Sequence, residues 1–195
     1  MKKVDFGMLA GMFVLVTVTM VAHEAAHWLA GRALGYDMWF TLTRGGPVGG
    51  VWRSQADYAL VSAAGPLFTI TMGVVGAWLA ISRRRLLGYE LVFAAFMQRA
   101  MAMVMSAIAT PNDEARISMF LGLEWWVAPA VVVAVLLALT VWSAIRLRVS
   151  LATNLMLYLV VSAAFTLMVG LDGQLPGGSG VSVVDPLLPE AARMR

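Results

Sequence analysis

The chain has 195 residues, of which 61% are hydrophobic and 13% charged, and its mean hydropathy is +0.81. Soluble domains are nearer half apolar and a quarter charged, so this composition excludes an ordinary soluble protein and predicts a polytopic membrane protein. The net charge of +3 comes from basic residues at the ends of apolar runs, which predicts a lipid bilayer as partner and no nucleic acid. Without cysteine, the chain has no disulfide, no thiolate zinc ligand and no cysteine nucleophile.

Apolar runs predict an all-α fold with about five transmembrane helices. The first, Phe6 to Leu34, follows two lysines as a signal peptide would, but it has no small-residue cleavage site and we expect it to be retained. The other spans are predicted at residues 58–81, 91–110, 125–145 and 151–170. We expect residues 1–170 to form one transmembrane domain and residues 171–195 a Gly/Pro-rich tail. A multi-pass protein of a prokaryotic cell membrane is the expected setting.

Residues 36–54, between the first two spans, predict a short β-hairpin-like loop close to the membrane. Trp39 to Thr43 favour a strand because they include aromatic and β-branched residues. The cluster Gly45 to Gly50 predicts a turn, and Val51 to Arg53 a returning second strand. A glycine-rich connector with interfacial tryptophans is the alternative.

Both histidines of the chain lie in His23-Glu24-Ala25-Ala26-His27, an HExxH motif near the end of the first span. Residues four apart share one face of a helix, so both imidazoles can bind one zinc ion. Glu24 beside them is suited to take a proton from the attacking water. Two histidines hydrogen-bonded inside a helix bundle are the alternative. Because ionisable groups within a membrane are costly and usually functional, the metal site is favoured.

A catalytic zinc site usually has three protein ligands, and here the third has to be a carboxylate. The first, third and fifth spans end on the same side of the membrane, which makes Asp113 and Asp172 the main candidates. Asp113 is preferred because Pro111 and Asn112 can hold it at the depth of the histidines. Asp172 begins the predicted tail, although Leu171-Asp172-Gly173 resembles a metal-ligand motif.

Two intramembrane features accompany the motif. Ala63-Ala64-Gly65-Pro66 lies near the start of the second span, where small residues allow close helix approach and Pro66 predicts a kink or break. Arg99, near the middle of the third span, needs a carboxylate, carbonyl or water partner. A structural ion pair with an acidic residue is favoured for Arg99, and support of the metal site is the alternative.

Over roughly residues 6–120 the chain resembles the site-2 protease family of intramembrane zinc metalloproteases. That family combines HExxH with a later Pro-x-Asp-Gly-Gly-Arg sequence, which Pro111-Asn112-Asp113-Glu114-Ala115-Arg116 partly matches. Ala64-Gly65-Pro66 is similar to the family's Ala-Gly-Pro, and the loop after the first span is similar to its membrane-associated hairpin. Glu114 and Ala115 replace both glycines, and Thr69 and Met105-Ser106 stand where the family has asparagines. The resemblance therefore indicates a divergent, compact member.

The resemblance implies an intramembrane endopeptidase with one zinc ion on His23, His27 and Asp113 and with Glu24 as general base. Its substrates are expected to be transmembrane or membrane-anchored proteins. Asn112 is a candidate for contacting the substrate or the oxyanion, and Gly65, Pro66 and Arg116 are expected to be structural neighbours of the site. The alternatives are a non-catalytic zinc-binding protein with a regulatory or structural role and, less supported by its apolar later spans, a metal transporter.

Overall fold

The computed structural model describes residues 6–172 and confirms an all-α, multi-pass membrane protein with one small hairpin. Five of the helices are long and apolar enough to cross a membrane. The elements in chain order are α1 (Phe6–Ala33), β1 (Met38–Phe40), β2 (Gly45–Pro47), α2 (Gln55–Arg83), α3 (Leu86–Ile108), α4 (Asp113–Phe120), α5 (Val127–Leu147) and α6 (Leu151–Asp172). Leu171 and Asp172, assigned to the tail by the sequence, belong to α6, and the remainder of the predicted tail lies outside the described residues.

The core lies where α1, α2, α3 and α6 pack together, around buried residues such as Met12, Tyr89 and Leu157. In a membrane this packing depends on shape, because lipid is as apolar as the side chains. Small residues bring α2 and α3 into close contact: a Cβ on Gly88 would lie 2.6 Å from the backbone nitrogen of Ala80. The close packing of these two helices positions the middle of α3 beside α1 and α2.

The third span and the segment after it differ from the prediction. The helix α3 begins at Leu86, directly after Arg84 ends α2 in a left-handed conformation (φ 50°). After α3 the chain forms the short helix α4, which the sequence analysis did not predict. Asn112 begins α4 as its N-cap, and its side-chain oxygen accepts a hydrogen bond from the backbone N–H of Ala115 at 2.9 Å. The cap places Asp113 in the first turn of α4.

The hairpin is present, but its strands lie elsewhere than predicted. Met38 pairs with Pro47 and Phe40 with Gly45, so residues 41–44 connect the strands and the glycine cluster starts the second strand. The predicted second strand, residues 51–53, is irregular. The indole of Trp28 in α1 donates a hydrogen bond to the carbonyl of Met38 at 3.0 Å, which holds the hairpin against the end of α1.

Asp172, at the end of α6, holds the turn of the hairpin by hydrogen bonds. Its fully buried carboxylate accepts hydrogen bonds from the backbone N–H of Leu42 at 2.7 Å and the hydroxyl of Thr43 at 2.8 Å. Arg44 lies 3.7 Å from the same carboxylate. Because this contact joins residues distant in sequence, local patterns gave the wrong turn. Both oxygens of Asp172 are used by the hairpin.

Candidate metal centre

His23 and His27 lie on consecutive turns of α1, and both side chains are buried. Their rings meet edge to face, with centroids 4.7 Å apart. Their Nε2 atoms are 3.2 Å apart. The four-residue spacing thus directs the same nitrogen of each ring into one small space, as expected for a helix face.

The second nitrogen of each ring is held by α2. Nδ1 of His27 lies 2.6 Å from the carbonyl oxygen of Val61, which only accepts hydrogen bonds, so this nitrogen carries the hydrogen. Nδ1 of His23 lies 3.0 Å from the hydroxyl oxygen of Thr69, and that hydroxyl donates to the carbonyl of Gly65 at 3.2 Å. Thr69 therefore accepts from His23. In the neutral imidazoles both Nε2 atoms are left with a lone pair.

Asp113 reaches the histidines from α4. Its Oδ2 lies 3.1 Å from Nε2 of His23 and 3.3 Å from Nε2 of His27. The carboxyl group of Asp113 therefore faces both nitrogen atoms.

The spacing of these three atoms fits a zinc ion. Three lone pairs in so small a space repel one another unless a positive charge lies among them. A proton on one imidazole removes only part of this repulsion. A tetrahedral zinc ion with bonds of about 2.0–2.2 Å keeps its ligand atoms about 3.3–3.6 Å apart. The observed separations of 3.1, 3.2 and 3.3 Å lie close to the short end of this range. The nitrogen and oxygen donors are also of the kind that zinc accepts, and the cluster is a candidate metal-binding group.

Gly65 gives α2 its close approach to the two histidines. A Cβ at this position would lie 2.6 Å from Nε2 of His23 and closer still to Nε2 of His27. Any side chain on Gly65 would therefore occupy the space that the two nitrogens share. Pro66 is buried beside it, but α2 runs without interruption from Gln55 to Arg83, so the predicted break at Pro66 is absent.

Arg99 of α3 and Glu114 of α4 form a buried ion pair next to the three candidate ligands. Nη1 of Arg99 lies 3.2 Å from Oε1 of Glu114 and 3.7 Å from Oδ2 of Asp113. Nη2 of Arg99 lies 3.5 Å from Nε2 of His23. Arg99 thus has an acidic partner and also adjoins the site. The sequence predicted an acidic partner for Arg99 but did not identify it as Glu114; an acidic side chain directly after Asp113 in so apolar a chain was the available signal.

The other predicted residues surround the centre in different roles. Glu24 is buried on α1. Arg116 lies 3.4 Å from Oδ1 of Asp113, whereas Oδ2 is the oxygen that contacts the histidines. The side-chain oxygen of Asn112 is used in the cap of α4, while its Nδ2 is buried with no hydrogen-bond partner in the described part of the chain. The expected contact of Asn112 with substrate is therefore limited to that nitrogen.

The centre lies toward one end of the helix bundle. His27 is within the last two turns of α1, Asp113 begins α4, and the hairpin follows α1 directly. Comparisons of the chain with family models, curated proteins and solved structures find no match.

Proposed function

We propose that this protein is an intramembrane zinc metalloendopeptidase, similar in its motifs to the site-2 protease family. The observation that carries the proposal is the meeting of His23, His27 and Asp113 within 3.3 Å of one another, beside buried Glu24. An HExxH sequence alone can also occur in a helix whose histidines have only a structural role. A carboxylate from a distant segment, at the spacing of zinc ligands, supports a metal site much more strongly.

Each residue of the centre has its own role in peptide hydrolysis. Zinc, when bound, supplies a Lewis acid that polarises the peptide carbonyl and makes water more acidic. Glu24 accepts the proton of the attacking water and passes it to the leaving amine. Val61 and Thr69 hold the imidazoles through Nδ1 and so keep both Nε2 atoms directed into the site. Arg116 fixes the second oxygen of Asp113.

A membrane protein is the substrate class that suits this position. The helices that provide the site residues include three candidate spans, so a substrate reaches the site most directly from within the bilayer. A helical substrate has to unwind first, because its peptide groups are otherwise hydrogen-bonded to one another. The β1–β2 hairpin next to α1 is suited to pair with the unwound segment by strand addition. We therefore expect transmembrane or membrane-anchored proteins as substrates.

A non-catalytic zinc-binding protein with a regulatory or structural role is the second candidate. The observation in its favour is that Glu114 and Ala115 replace the two glycines that follow the aspartate in the family's motif. This candidate predicts bound zinc without proteolysis.

Reconstitution in liposomes tests the proposal. The purified protein, mixed with a panel of single-span test proteins, should cleave at least one of them within or near the membrane. A zinc chelator should abolish cleavage and added zinc restore it, whereas a non-chelating isomer of the chelator should have no effect. Cleavage that persists after complete zinc removal would contradict the mechanism. Stoichiometric zinc with no cleavage of any test protein would favour the non-catalytic candidate.

A further inference from the structure

Arg99 brings to the centre a positive charge that the roles above do not use. It lies in α3, a candidate span, and only 6% of its surface is exposed. A charged side chain at such a position is costly and is usually functional. The function of this arginine depends on what its donors face.

The ion pair with Glu114 uses only part of the hydrogen-bonding capacity of Arg99. One nitrogen, Nη1, contacts Glu114 at 3.2 Å, while Nε of Arg99 and Oε2 of Glu114 are buried without hydrogen-bond partners among residues 6–172. Buried ion pairs contribute little to stability even when every donor is satisfied, and apolar pairs often replace them without loss. A pair with so few satisfied groups is poorly explained by stability.

The other terminal nitrogen of the guanidinium, Nη2, adjoins the candidate ligands. Nη2 is 3.5 Å from Nε2 of His23, beyond a good hydrogen bond, on the side where the three candidate ligands converge. Hydrogen-bond donors at such a place stabilise negative charge that develops on a carbonyl oxygen. The nearby hydroxyl of Thr69 donates to the carbonyl of Gly65. Arg99 and Arg116 are thus the charged donors next to the ligands among the described residues, and Arg99 is the one that adjoins a histidine.

We propose that Arg99 is a catalytic residue that hydrogen-bonds the carbonyl oxygen of the scissile peptide, with Glu114 holding its guanidinium in place. When the water oxygen bonds to the carbonyl carbon, its proton passes to Glu24 and the carbonyl π electrons move to the oxygen that Arg99 contacts. The proposal rests on the proposed function. The same guanidinium also makes the metal centre an anion-binding site, which can be measured without any substrate.

The test replaces both charges together, so that neither is left buried alone. Protein loaded with cobalt(II), whose visible spectrum reports its ligands, is titrated with azide as the anion. We expect R99M/E114M to bind cobalt stoichiometrically but to bind azide at least about 10-fold more weakly than the wild type. Its zinc form should cleave test substrates about 100- to 1,000-fold more slowly. Azide affinity equal to the wild type would overturn the proposal.

The matched control is Gln98→Met, which removes a neighbouring buried polar group that contacts Thr19 at 2.7 Å. Its azide affinity should be unchanged, and an equal loss there would overturn the assignment to Arg99. If the methionine pair does not fold, R99Q/E114Q, which keeps a neutral hydrogen bond, serves for the same comparison. If the wild type cleaves nothing, the proposed function fails while the azide titration still decides whether Arg99 binds anions. If the wild type cleaves and R99M/E114M matches it, only the assignment of Arg99 fails.

Discussion

Replacing Glu24 with glutamine should abolish proteolysis and leave zinc bound. Glutamine has nearly the same shape but cannot accept the proton of the attacking water, and general-base catalysis contributes about 100- to 10,000-fold. Glu24 provides none of the three ligand atoms that converge on the site, so the zinc content should stay at the wild-type value. The measurement is the initial cleavage rate in liposomes, normalised to bound zinc.

The control for Glu24 is Asp37→Asn, which removes an exposed carboxylate near the end of the same helix. Its rate should match the wild type. A zinc-loaded E24Q protein that cleaves at the full rate would eliminate Glu24 as the base. Loss of zinc in E24Q would mean instead that Glu24 supports the site structurally.

Replacing Gly65 with alanine should destroy the metal centre. The added Cβ would lie 2.6 Å from Nε2 of His23 and closer to Nε2 of His27, so α2 has to withdraw or the rings have to turn. Withdrawal also breaks the contacts of Val61 and Thr69 with the Nδ1 atoms. Since loss of supporting contacts alone weakens metal binding about 10- to 100-fold, we expect at least that decrease in zinc affinity. Competition with a chromogenic chelator measures it.

Gly11→Ala is the matched control, because a Cβ at Gly11 meets no atom within 4 Å. Alanine favours a helix over glycine by about 0.8–1.0 kcal/mol, so a weaker helix cannot explain a lower zinc affinity in either variant. Wild-type affinity in G65A would show that the two nitrogens do not face α2 as described.

The sequence predicted the spans because long apolar runs have few other stable structures, and five such helices are present. The pairing of His23 with His27 follows from helical periodicity, which is a local property. Asp113 was predicted from the order of the spans, because membrane topology restricts which distant residues can lie at the same depth in the bilayer. In the structure these three residues lie together.

Features that depend on long-range contacts escaped prediction. The position of the hairpin turn depends on Asp172 at the far end of the described chain, and no local pattern contains that contact. The partner of Arg99 is Glu114, and the sequence does not show which acidic group of α4 contacts the guanidinium. Helix α4 itself is too short and too polar for a hydrophobic pattern. Gly65 was expected beside the site only through the family resemblance, because its role depends on rings from another helix.

Metal content of the purified protein tests the central claim most directly, for the wild type beside Asp113→Ala and Asp172→Ala. We expect one zinc ion per chain in the wild type and none in D113A, which lacks one of the three ligands. D172A should keep its zinc and unfold at a lower temperature, because it loses the hydrogen bonds that hold the hairpin turn. Zinc lost in D172A but retained in D113A, or no zinc in the wild type even after reconstitution, would contradict the assigned metal centre.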